Sequence, residues 1–132
     1  MGSWGVGMSA NDDAADAISD RPRSKSAAEY LRSLLAMPAD NGRRAKMILG
    51  YAEYMLLSPK LSKGFDFKIA VNKVISAELK ENRLGLWREP EERKAALLRF
   101  RKVLLHGLKS LTEDEMMSSA KDNEGLLSRI LS

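Results

Sequence analysis

The sequence predicts an all-α chain, a small helical bundle of four main helices plus a short C-terminal helix. Apolar residues recur at the 3.6-residue helical period, capping boxes and prolines mark where helices start and stop, and no stretch keeps the strict alternation of a half-buried strand. An apolar share of 44% and a charged share of 30% fit a protein with a packed core and a solvated surface. At 132 residues the chain suits one domain with tails.

Residues 1–25 are small and polar, acidic and then basic, with no apolar period to offset the entropy of ordering, and are expected to be a disordered tail. Its first residues include Gly2, but Val6 stands where a myristoylation motif requires Ser or Thr; a leader ahead of a start at Met8 is the other reading. The helical domain is expected over 26–120, followed by an extension at 121–132 that can add a short helix. Ser26, three residues before Glu29, forms the capping-box pattern, and Tyr30, Leu31, Leu34 and Leu35 follow as one stripe ended at Pro38.

Asp40 or Asn41 is expected to cap a second helix, Arg43–Leu57, whose stripe is Met47, Ile48, Tyr51, Tyr54 and Met55. After a loop from Lys60 to Phe65, Asp66 is the expected cap of a third helix from Phe67 to about Glu81. Asn82–Arg88 reads as a link, with Leu84, Leu86 and Trp87 pressed against the core edge. Glu89-Pro90-Glu91-Glu92 is the clearest helix start, with proline and acids suited to a first turn. The stripe behind it, Leu97, Phe100, Leu104, Leu108 and Leu111, is expected to be the most amphipathic in the chain. Thr112 and Glu115 form a second capping box for the short last helix.

Several function classes have no machinery here. The chain has no cysteine, no apolar run approaching the roughly 20 residues that span a bilayer, no secretory signal pattern, no P-loop and no dinucleotide fingerprint. His106 is the single histidine and is expected at the surface, while Glu91–Glu92 and Glu113–Glu115 are explained as helix-start acids. No enzyme activity, metal or cofactor is expected, and the chain is expected to stay inside the cell.

Charge is the informative property. The net +4 divides into −4 over residues 1–20, +11 over 21–110 from twenty bases against nine acids, and −3 over 111–132. A concentrated positive body attracts polyanions by releasing their condensed counterions, and acidic ends can fold back to compete for the same surface. Arg99, Lys102, His106 and Lys109 fall in one helical row flanked by Arg93, Lys94 and Arg101. Arg43, Arg44 and Lys46 fall in the first turn of the second helix, where the dipole adds to their charge and invites an anion.

The expected nucleic-acid-binding residues are therefore Arg43, Arg44, Lys46, Arg93, Lys94, Arg99, Lys102 and Lys109, in a noncatalytic protein that contacts RNA or DNA backbone. Phe65 and Trp87, in loops, are the aromatics left for an exposed contact. The alternative is a helical adaptor or regulatory module that docks a protein partner through the Met116-Met117 helix or through Leu126–Leu131. Attachment to anionic membrane through the same basic face is a third reading, behind these two, and the sequence leaves self-association open.

Overall fold

The protein is all-α, and its middle helix is buried on almost every side. The structure, a computed structural model, describes residues 7–8, 10–38, 42–58, 60–62 and 65–122. Among these the elements are α1 (Asp12–Ser19), α2 (Ala27–Leu35), α3 (Arg43–Leu57), α4 (Lys68–Glu78), α5 (Glu81–Leu84), α6 (Pro90–His106) and α7 (Glu113–Asp122), with a 3-10 turn at Leu108–Ser110. Helix α3 is central, packing against α1, α2, α4 and α6. Its predicted stripe residues Met47, Ile48, Tyr51 and Met55 are buried, and so are Leu49, Gly50 and Ala52 on the opposite side.

That second buried side is covered by α1, which corrects the expectation of a structureless tail over residues 1–25 for the part that is described. Asn11 caps the helix by accepting from the Ala14 amide at 2.7 Å, and its own amide donates to Met8 O at 3.3 Å. Ala14 and Ala17, three apart, are fully buried against α3, and a methyl group added at Gly50 would overlap the Ala14 side chain. Alanines seated on a glycine let two backbones approach closely while burying little apolar area per residue. Ala14, Ala17 and Ile18 do fall on one helical face, but side chains this small give a weak apolar signal.

The predicted capping boxes form. Ser26 Oγ accepts from the Glu29 amide at 3.2 Å while Glu29 accepts from the Ser26 amide at 3.2 Å, and Thr112 and Glu115 pair the same way at 3.2 and 3.1 Å. Pro90 occupies the first turn of α6 with Glu91 and Glu92, as its start signal requires. Two other caps differ. Gly42, at φ 103°, precedes α3, the expected caps Asp40 and Asn41 lying outside the described residues, and α4 begins after Phe67 with no bond from Asp66. The expected link at 82–88 holds the single-turn α5.

Helix α6 stops at His106 rather than running on to Leu111, because Gly107 at φ 83° turns the chain into the 3-10 segment. It is also less one-sided than its stripe predicts. Leu97, Phe100 and Leu104 face the core, but Arg93 joins them there while Leu98 and Leu105 stand exposed. The Leu126–Leu131 segment lies outside the described residues. Among the described residues no helix is long and apolar enough to cross a membrane.

Candidate functional site

The cations singled out in the sequence separate into a core residue, a clamped set and a converging set. Arg93 is the core residue. Its side chain is fully buried, its guanidinium lies 3.9 Å over the Trp87 ring, and Nη1 donates to Gly7 O at 3.3 Å. Burial pulls its pKa down to about 10, against the nearby carboxylates of Glu78 and Glu53, which hold it up. It has no surface from which to touch a phosphate, which corrects its place in the expected interface. The neighbouring Arg101 is likewise occupied, donating to Asn72 Oδ1 and Ser76 Oγ, each at 2.9 Å.

The rest of the predicted row on α6 is not one continuous strip of cations. Lys94, Lys109 and His106 are exposed and Arg99 is half-buried, but Lys109 sits past the Gly107 turn, off the helix. Lys102 donates to both Glu115 carboxylate oxygens, at 3.0 and 2.9 Å. Those contacts and the Thr112 amide hold the Glu115 carboxyl below its ordinary value, the Thr112 backbone bond being the larger cause.

At the first turn of α3 cations converge. Arg44 donates from Nη2 to Leu35 O at 2.8 Å, which fixes its guanidinium between α2 and α3. From α5, Arg83 reaches over Gly42 so closely that a methyl group there would collide with its guanidinium. Glu78 orients Arg83 by accepting from Nε at 3.0 Å. Arg44 and Arg83 line a shared groove of about 710 Å³ with Lys73 of α4. Arg43, exposed, pairs with Asp13 of α1 at 3.3 Å, and Lys46 lies 5.4 Å from the Trp87 ring centroid.

Three expected site residues, Arg43, Arg44 and Lys46, therefore share one end of α3, and sequence reading missed Arg83 and Lys73 beside them. Arg83 lies in a segment read as a link, and Lys73 is an ordinary helix-surface lysine; no periodicity brings the two to one groove with Arg44. Of the two loop aromatics, Trp87 is half-buried between Arg93 and Lys46, and Phe65 packs edge-on against Phe67 at 5.6 Å. A helix start, arginine forks and a lysine are chemically suited to phosphate oxygens, which accept from planar guanidinium donors and interact favourably with the positive end of the helix. No family model, curated protein or solved structure matches the chain.

Proposed function

We propose that this chain is a noncatalytic binding protein that holds the phosphate backbone of nucleic acid at the first turn of α3. One observation carries the reading: Arg44 and Arg83, thirty-nine positions apart in sequence, line one groove with Lys73. Arg43 and Lys46 extend the positive surface along the start of α3, and the +11 excess of residues 21–110 supplies attraction at longer range. Binding of a labelled oligonucleotide is expected to weaken steeply between about 50 and 200 mM salt, as counterion release requires. Arg44→Glu with Lys73→Glu is expected to lower affinity at least about tenfold at low salt, two phosphate contacts being exchanged for repulsion. Affinity indifferent to salt, or unchanged in that double variant, defeats the reading.

A second reading has its own observation. Met116 and Met117 on α7 are 49% and 72% exposed, and Leu98 and Leu105 are also exposed on α6, which packs against α7. Such a surface suits docking of a protein helix through adaptable methionine contacts. Under that reading Met117→Glu abolishes partner capture while the Arg44 and Lys73 reversals leave it intact.

A further inference from the structure

The groove beside α3 has a floor that phosphate binding alone does not need. Phe67, Val74 and the side chain of Ile69 line it together with Arg44, Lys73 and Arg83. Ile69 is 77% exposed, so it makes little use of the core, and Phe67, half-buried, carries the Arg32 guanidinium 5.7 Å from its ring centroid. An apolar floor bounded by cations recognises a ligand that carries both a flat apolar face and an anion a few bonds away. A nucleotide whose base is unstacked has that composition; a base inside a duplex keeps its faces against its neighbours and presents only its groove edges and the backbone.

Building on the nucleic-acid reading, we propose that the groove receives an unpaired base, so that the preferred ligand is single-stranded nucleic acid. The base lies against Ile69 and Phe67, and its phosphate turns to Arg44 and Arg83 at the start of α3. The volume of about 710 Å³ is that of a pocket for one or two nucleotides rather than for a long strand. Glu78 does not oppose the phosphate as a free charge, since its carboxylate accepts from Arg83 at 3.0 Å. The exposed Asp66 at the same groove can accept from a base N–H, such as N3–H of an unpaired thymine.

The test is fluorescence anisotropy on the full chain at low salt, with a labelled oligothymidine strand and the duplex that it forms with its complement. The single strand is expected to bind about tenfold or more tightly than the duplex, the usual scale of one base stacked on a protein surface. Ile69→Asp, a change at an exposed position, is expected to erase that preference while moving duplex affinity less than the single-strand affinity; Phe67→Leu repeats the measurement through a different side chain. Equal affinity for strand and duplex, with Ile69→Asp inert, overturns the base pocket and leaves backbone binding standing. Failure of both nucleic acids to bind overturns the two readings together. Tighter binding of an acidic amphipathic peptide than of the strand, lost in Ile69→Asp, reassigns the groove to a protein partner.

Discussion

Arg93 brings a positive charge where water does not reach, and its surroundings show what holds it there. Trp87 covers its face, Gly7 O takes a proton of Nη1, and the carboxylates of Glu53 and Glu78 favour its charged form. Removing one member of such an arrangement leaves the others desolvated without compensation. Arg93→Met is therefore expected to destabilise the fold by about 3–5 kcal/mol, and Glu53→Gln in the same chain is expected to restore part of the loss. Urea unfolding measures both, and a loss below about 1 kcal/mol would remove the buried arginine from any account of stability.

Tyr51 poses the opposite case. Its ring packs edge-on against Tyr30 at 5.0 Å, and burial raises its hydroxyl to about 12 from the ordinary 10.0. The hydroxyl has no hydrogen-bond partner among the described residues, so Tyr51→Phe is expected to be neutral or stabilising at pH 7. The folded chain keeps the phenol neutral through the interval in which the unfolded chain releases its proton, which favours unfolding as pH rises from 10.0 to about 12. The advantage of the Phe variant should grow across that interval in a pH series of denaturation midpoints.

Single elements show where local signals suffice and where they fail. Helices α2 and α7 were legible because a capping box is a contact within four residues, and α6 was legible at its start because Pro90 and two glutamates act on their own turn. Helix α1 carries local start signals too, the Asn11 cap with Asp12 and Asp13 in the first turn, but its inward face is mainly alanine, and what makes that face a buried one is Gly50, far along the chain. Gly50→Val is accordingly expected to displace α1 while α2 to α6 remain folded, visible as loss of amide protection confined to Ala14 to Ile18. The caps also carry a pH dependence. Glu29 and Glu115 both titrate below the ordinary 4.5, chiefly through the backbone amides of Ser26 and Thr112. Their contribution to helix stability is present above 4.5 and is lost as acid protonates the folded carboxyls, so helicity at α2 and α7 is expected to fray on acidification before the core opens.

For the molecule as a whole, the three charge blocks were readable from composition, but their arrangement was not. Arg93 shows why, since a residue at the right helical spacing for a basic row is turned inward by a tryptophan and two acids that no pattern brings together. The acidic ends do meet the basic body, at Asp13 with Arg43 and at Glu115 with Lys102. Each carboxylate pairs with a cation for which a phosphate would compete, so under the proposed function Asp13→Asn is expected to tighten oligonucleotide binding by a few-fold at low salt and to do nothing at high salt. Titration of the variant beside the parent chain decides it, and weaker binding would exclude competition by α1.

The bond from Arg93 to Gly7 O joins residues 86 positions apart. During synthesis Gly7 leaves the ribosome long before α6 exists, so its carbonyl meets this donor late, across a loop that takes in most of the described chain. A nascent chain halted before Arg93 can already seat α1 on α3, whereas the backbone at Gly7, whose carbonyl waits for Arg93, should stay open to protease until α6 emerges.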